Sequence, residues 1–144
     1  MSRFISYSEK ETIASAKKFA KKLKGSEVIA LIGDLGTGKT VFIKGMARGL
    51  GIKKTITSPS FVLMKLYQVK DSRFKIKNLL HIDAYRLKNE KDLIGIGVLD
   101  WLGKKDTVTV IEWAERVKKL LPKKAIKIKI KFGKKKYERI INFC

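Results

Sequence analysis

The sequence is short of cysteine and contains no long apolar run. Cys144, the last residue, is the single cysteine, so neither an internal disulfide nor a multi-cysteine metal site can form. No segment approaches the roughly 18 consecutive apolar residues of a membrane-spanning helix. The first ten residues also lack the apolar core of a secretory signal peptide. We therefore expect a cytoplasmic protein without a membrane partner.

Acidic residues are scarce as well. Asp and Glu total 13 against 34 Lys and Arg, which gives a formal charge of +21 over 144 residues. Such an imbalance suggests a polyanionic partner such as nucleic acid, although charge bears on partners and not on fold. Hydrophobic residues make up 44% of the chain, which argues against disorder. The length is typical of one domain, which we expect to span 1–144.

Hydrophobic patterns alternate along the chain between the helical and the strand period. Ser8 and Glu11 fit the Ser-x-x-Glu capping box at the start of a helix. The other predicted elements are strands at 28–32, 61–69, 76–83, 107–112, 126–132 and 137–143, and helices at 39–50, from 90, and at 114–121. This order predicts an α/β fold with a mixed, mainly parallel sheet flanked by helices and carrying two antiparallel hairpins.

The segment 33–40, Gly-Asp-Leu-Gly-Thr-Gly-Lys-Thr, matches the phosphate-binding loop pattern G-x-x-x-x-G-K-[ST]. Its glycines let successive backbone N–H groups point at phosphate oxygens, and the following helix offers its positive end to the same anion. Lys39 can reach the β- and γ-phosphates, and the Thr40 hydroxyl can ligate Mg²⁺. A chance match is the alternative, but the buried strand before the loop and the helix after it argue against chance. The predicted nucleotide-binding residues are Asp34, Leu35, Gly36, Thr37, Gly38, Lys39 and Thr40.

Two predicted buried strands end in an acidic residue, Asp83 and Glu112. If both strands run parallel to the strand before the loop, both carboxylates face the phosphates. One could then bind Mg²⁺ and the other orient the attacking water, with the assignment left open. Each could instead only cap the helix that follows it. His81, the single histidine, shares a strand face with Asp83, and we interpret it as a core or edge histidine rather than a catalytic one.

Two other functions compete with an NTPase. A small P-loop kinase would need an arginine-bearing lid, whereas the six arginines are scattered and no insertion is long enough for one; Arg86 could still stabilise charge or contact a partner. A direct RNA-binding role is favoured by segment 123–139, which holds nine basic residues and one acid. Lysines on an alternating strand are also a common way to protect a sheet edge, so this hairpin could be a solvated edge.

Four segments together resemble the TsaE (YjeE) family of small bacterial P-loop ATPases, which are required for the threonylcarbamoyladenosine (t6A37) modification of tRNA. They are 33–40, Thr-Ser-Pro-Ser-Phe at 57–61, His-Ile-Asp-Ala-Tyr-Arg-Leu at 81–87, and Ile-Glu-Trp at 111–113. The loop alone is generic, but its combination with Asp-x-Tyr-Arg-Leu and Glu-Trp is much more specific.

The resemblance implies a Mg²⁺-dependent ATPase, weakly active alone, that acts on the TsaD–TsaB complex and resets it between cycles of threonylcarbamoyl transfer. It implies ATP and Mg²⁺ as cofactors, with Lys39 on the phosphates, Thr40 and Glu112 on Mg²⁺, and Asp83 as the better candidate for activating water. The remaining implied residues are Ser58, Pro59 and Ser60 of a switch-like segment, and Trp113 beside the site. The protein would meet tRNA indirectly through TsaD–TsaB, or directly if the basic C-terminal hairpin docks on it.

Overall fold

The computed structural model describes residues 2–59, 61–71 and 73–144. The strands are β1 (Ser2–Ser6), β2 (Val28–Ile32), β3 (Met64–Gln68), β4 (Asn78–Asp83), β5 (Thr107–Glu112), β6 (Ile126–Phe132) and β7 (Arg139–Phe143). The helices are α1 (Glu9–Ala20), α2 (Lys39–Gly49) and α3 (Lys91–Gly95), with 3₁₀ segments at Val98–Asp100 and Ala114–Leu120. None of the helices in these ranges is long and apolar enough to cross a membrane.

All seven strands join one sheet in the order β1-β7-β6-β2-β5-β4-β3. The four central strands, β6, β2, β5 and β4, are parallel to one another. The antiparallel pairs are β3 with β4, β6 with β7, and β7 with β1. The predicted mixed sheet with two hairpins is therefore confirmed, and β2, β5 and β6 have the predicted bounds.

The sheet lies between two layers. On one face, α1 and α2 pack over a core that includes Phe42, Met46 and the β2 side chains Ile29 and Leu31. On the other face, α3 and the two 3₁₀ segments cover Val28 of β2 and the neighbouring side chains of β4 and β5. Burial on both faces explains why β2 is apolar without alternation, and all six side chains of β5, including Thr107 and Thr109, are buried as well.

Helix α1 fixes the position of α2, which begins at the predicted phosphate loop. Ser8 is the N-cap, as predicted, since its Oγ accepts from the Glu11 N–H at 3.1 Å, while the Glu11 carboxylate accepts from the N–H of Tyr7 rather than of Ser8. The two helices touch closely at Gly45: a Cβ there would lie 2.6 Å from the Ala16 Cβ and 2.6 Å from the Ile13 carbonyl oxygen. The missing side chain therefore permits the contact that holds α2 in place.

Two predicted elements differ most from the structure, while the strands predicted at 76–83 and 137–143 begin two residues later, at Asn78 and Arg139. The strand predicted from Phe61 begins at Met64, because a turn precedes it in which the Leu63 N–H donates to the Pro59 carbonyl at 2.7 Å. The predicted α-helix at 114–121 is a 3₁₀ segment with non-helical backbone at Val117. Pro122 disfavours helical backbone at the residue before it, and Leu121 is indeed extended, so few residues remain for an α-helix.

The N-terminal strand β1 was not predicted, and it changes the place of the basic hairpin. Because β1 pairs with β7, β1 and not β6–β7 forms this edge of the sheet. The interpretation of the hairpin as an edge is therefore wrong.

Candidate functional site

The loop between β2 and α2 has the backbone geometry that its glycines predict. Gly36 and Gly38 have φ values of +81° and +100°, in the left-handed region that glycine adopts without a steric penalty. Thr37 is buried and uses its hydroxyl within the loop, donating to the Asp34 carbonyl at 2.8 Å. Asp34 and Leu35 are exposed at the loop tip. No side chain among the described residues caps α2, and its first turn carries no acid, so its N-terminus remains available to an anion.

Lys39 lies folded over this loop. Its Nζ donates to the Gly33 carbonyl at 2.6 Å and to the Asp34 carbonyl at 3.0 Å. The same atom is 4.3 Å from the centre of the Trp113 ring, within range of a cation–π interaction. Burial lowers the pKa of Lys39, and the carboxylate of Glu112 opposes that shift most strongly. The Lys39 ammonium is thus held by two neutral carbonyl groups and an aromatic ring.

The two acids, Asp83 and Glu112, lie side by side at the carboxyl ends of their strands, next to the loop. Strands β4 and β5 are parallel with Asp83 opposite Glu112, and Glu112 is in turn opposite Leu31 of β2. Thr40 Oγ1 donates to Glu112 Oε1 at 3.0 Å. The structure therefore brings together Thr40 and Glu112, the two residues expected to share a metal.

His81 completes a hydrogen-bonded chain that could not be predicted from the sequence. His81 is fully buried, and its Nε2 is 2.7 Å from Glu112 Oε2. Because a carboxylate can only accept, the imidazole donates from Nε2; its buried Nδ1 has no partner among the described residues. The Thr40–Glu112–His81 chain fixes both oxygens of Glu112. The sequence pattern that bears on this contact is the two-residue period of a strand, which places His81 and Asp83 on one face of β4.

Asp83 is more accessible than Glu112 and connects the site to the segment before β3. Its Oδ2 accepts from Ser58 Oγ at 2.9 Å, and its Oδ1 accepts from the Tyr85 N–H at 3.0 Å. Of the predicted switch-like residues, Ser58 thus contacts the site and Pro59 is buried, whereas Ser60 lies outside the described residues.

Trp113 follows Glu112 and packs beside the loop, as predicted. Its backbone is left-handed, with φ of +58°, and its ring lies 5.1 Å from that of Tyr85. Arg86 lies over the ring of Phe61, with 4.8 Å from guanidinium carbon to ring centre. Since Phe61 is 84% exposed, Arg86 and Phe61 form an outward-facing pair.

The donor chemistry of the site fits Mg²⁺. The described residues contain no group of three or more His, Cys, Asp or Glu side chains able to hold a metal. A hydroxyl and a carboxylate, Thr40 and Glu112, meet instead beside the loop. Mg²⁺ is usually held by one or two protein oxygens together with phosphates and water, so the pair is sufficient for a metal that arrives with a nucleotide.

The family model described as "Threonylcarbamoyl adenosine biosynthesis protein TsaE" matches residues 6–141. A protein of Bacillus subtilis described as tRNA threonylcarbamoyladenosine biosynthesis protein TsaE is 40% identical over 84% of this chain and 72% of its own length. A protein of Treponema pallidum with the same description is 36% identical over 90% of both chains.

A solved structure agrees with these sequence matches. The crystal structure of Bacillus subtilis YdiB superposes with a TM-score of 0.80 and 32% identity, covering 99% of this chain and 83% of that one. The family match extends from the end of β1 into β7 and includes every site residue described above. The chain therefore belongs to the TsaE family of threonylcarbamoyladenosine biosynthesis proteins.

Proposed function

We propose that this protein binds Mg-ATP at the 33–40 loop, hydrolyses it slowly alone, and acts on the TsaD–TsaB complex in the t6A37 modification of tRNA. The observation that carries the proposal is the Thr40–Glu112–His81 chain beside Lys39, at the carboxyl ends of three parallel strands. This is the place where open α/β sheets bind their ligands.

Lys39 and the loop backbone would hold the phosphates. The Lys39 ammonium now donates to two loop carbonyls, and phosphate oxygens are stronger acceptors for it than neutral carbonyls. Mg²⁺, when bound, supplies charge neutralisation on the transferred phosphate. Thr40 and Glu112 would hold it, and His81 would keep the second Glu112 oxygen in a fixed position.

Asp83 would orient or activate the attacking water. Its carboxylate is fixed by Ser58 and by the Tyr85 N–H, and it lies one strand away from Glu112. Because the Ser58 hydroxyl comes from the switch-like segment, movement of this segment would alter the position of Asp83. A partner that contacts the segment could control hydrolysis in this way.

The surroundings of the site support a protein partner. Phe61 and Val62, which follow the switch-like segment, are 84% and 58% exposed. Exposed apolar side chains next to charged residues are typical of interaction surfaces. Arg86, stacked on Phe61, would add a charged contact. We therefore place TsaD–TsaB against this side of the molecule.

Isothermal titration calorimetry of the full chain with ATP, with and without Mg²⁺, measures nucleotide affinity and so tests the proposed site. Lys39→Ala should abolish measurable Mg-ATP binding. Lys44→Ala, which removes the same charge from the same helix away from the loop, should bind like the wild type. Unchanged affinity of Lys39→Ala would refute the proposed site.

Size-exclusion chromatography with TsaD–TsaB of the same organism tests the partner. We expect co-elution in the presence of ATP, and weaker co-elution after Phe61→Ser. Separate elution of the wild-type chain, with and without ATP, would contradict the proposed assembly even if ATP binds.

A further inference from the structure

One face of the sheet is basic and uncovered over strands β1, β7 and β6. The side chains of β6 alternate, so that Ile128 and Ile130 are buried against the α1–α2 layer while the intervening lysines are exposed on the opposite face. The strand register adds the side chains of β7 and β1 that lie opposite these lysines. We call this the open basic face: Arg3, Ile5, Lys127, Lys129, Lys131, Ile140 and Asn142.

The fold does not account for these lysines. Lysine is used to protect exposed sheet edges, but β6 is paired on both sides, with β2 and β7. The true edge strand, β1, carries a single basic residue, Arg3. On the same side of the sheet, the second helical layer packs on β2, β4 and β5. The lysine row thus occupies a position that apolar residues fill elsewhere in the sheet.

The charge on this face is of one sign. The face carries four basic residues, Arg3, Lys127, Lys129 and Lys131, and strands β1, β6 and β7 contain no Asp or Glu. The three β6 lysines stand about 7 Å apart, from two residues of strand rise. A row of flexible ammonium groups suits the regular negative charge of a phosphate backbone, and it does not provide the bidentate geometry that reads bases.

The β6–β7 hairpin connects the sheet to the nucleotide loop through Arg139 and Phe132, which by register lie on the face opposite to the β6 lysines. Arg139 starts β7, and its guanidinium donates to the Gly36 carbonyl at 3.4 Å. The same guanidinium lies 4.7 Å from the centre of the Phe132 ring. Between them, the turn adds Lys134, Lys135 and Lys136, which are all exposed. The hairpin turn, which directly follows the lysine-bearing strand β6, therefore brings further positive charge close to the site proposed for ATP.

We infer that the open basic face binds the sugar-phosphate backbone of RNA, without reading its sequence. That this RNA is tRNA rests on the proposed function, whereas the affinity for a phosphate backbone rests only on the charge and shape of the face. Lys127, Lys129 and Lys131 form its centre, and Arg3 extends it to the edge of the sheet.

Fluorescence anisotropy of labelled, unmodified tRNA with the full chain, over a series of salt concentrations, tests this inference. Each phosphate contact contributes about 0.7–0.9 to the slope of log K against log salt. The triple variant Lys127→Gln, Lys129→Gln, Lys131→Gln should therefore lower that slope by about 2–3. At low salt we expect it to weaken binding by at least about tenfold.

A matched variant distinguishes RNA binding at this face from a general effect of the protein's total charge. Lys10→Gln, Lys18→Gln and Lys22→Gln remove the same charge from exposed positions on and after α1 and should leave the slope within about 0.5 of wild type. Both triple variants should keep Mg-ATP affinity and urea midpoint, because none of these lysines touches the loop.

Equal slopes for the two triple variants would overturn the inference. It would also be wrong if the β6 variant bound tRNA normally but lost salt-sensitive co-elution with TsaD–TsaB, since the face would then bind an acidic protein surface. If the wild type failed to bind ATP or TsaD–TsaB yet the β6 variant lost RNA affinity, the proposed function would fail while this inference stood.

Discussion

Replacing His81 with leucine tests whether the buried chain Thr40–Glu112–His81 is held together as described. Glu112 is only 4% exposed and His81 is fully buried. His81→Leu keeps the side-chain size roughly constant and removes the 2.7 Å hydrogen bond to Glu112 Oε2. The carboxylate then keeps Thr40 as its side-chain partner, and water has little access to replace the imidazole.

The expected cost follows from that burial. Leaving a buried polar group unsatisfied costs about 1–3 kcal/mol, and more for a charged group. Breaking a buried charged pair costs about 3–5 kcal/mol. Because Thr40 still donates to Glu112, and because leucine adds apolar burial, we expect His81→Leu to cost about 2–3 kcal/mol. In a Glu112→Gln background the buried group is neutral, so the same change should cost about 1 kcal/mol.

Urea denaturation of the nucleotide-free protein measures the free-energy cost of His81→Leu in the wild-type and Glu112→Gln backgrounds, and hence the difference between them. The His81→Leu midpoint should fall by about 1–2 M, and the double-mutant cycle should give a coupling of about 1–2 kcal/mol between His81 and Glu112. Thr109→Val is the control: its buried hydroxyl has no partner among the described residues, so the change should be neutral or slightly stabilising. A coupling below about 0.5 kcal/mol would refute a structural His81–Glu112 bond.

Four further predictions follow from the same geometry. Burial lowers the pKa of Lys39 below 10.5, so just below that pH the unfolded chain binds more protons than the folded one. The unfolding free energy of the wild type, measured by urea titration, should therefore rise with pH in this range, and Lys39→Met should lose that rise. Parallel plots of unfolding free energy against pH for the two proteins would contradict this. Asp83→Asn should lower the rate of single-turnover ATP hydrolysis by at least about tenfold while changing ATP affinity by less than about threefold. The reverse pattern would make Asp83 a binding residue. Lys39 lies 4.3 Å from the Trp113 ring, and its movement on nucleotide binding should change the fluorescence of that tryptophan. Trp113→Phe should therefore abolish the fluorescence change and Trp101→Phe should retain it; the opposite result would mean that Lys39 does not move. Gly45→Ala should destabilise the protein by about 1–3 kcal/mol through its contact with α1, and an unchanged urea midpoint would contradict that packing.

Local sequence patterns were sufficient to predict the part of the molecule around the 33–40 loop. The apolar run of β2, the β-branched run of β5, the glycines of the loop and the acids at two strand ends can each be recognised within a few residues. Parallel pairing of β4 with β5 then follows from the alternation of helices and buried strands. This is why the proximity of Asp83, Glu112 and the loop could be predicted before the structure.

The remaining features depend on partners distant in sequence. Strand β1 is short and mostly exposed, and only its pairing with β7, more than a hundred residues away, makes it a strand. Without β1, the hairpin could only be interpreted as an edge. His81 has no local pattern that distinguishes a core histidine from one bonded to Glu112, because the bond depends on the register of β4 against β5.

Reconstituted t6A37 formation on tRNA, with TsaD–TsaB of the same organism, tests the central claim most directly. We expect the wild-type chain with Mg-ATP to sustain repeated rounds of modification. Lys39→Ala should support no more product than omission of the protein, and Lys44→Ala should match the wild type. Full multiple-turnover modification without this chain, or with Lys39→Ala, would contradict the account.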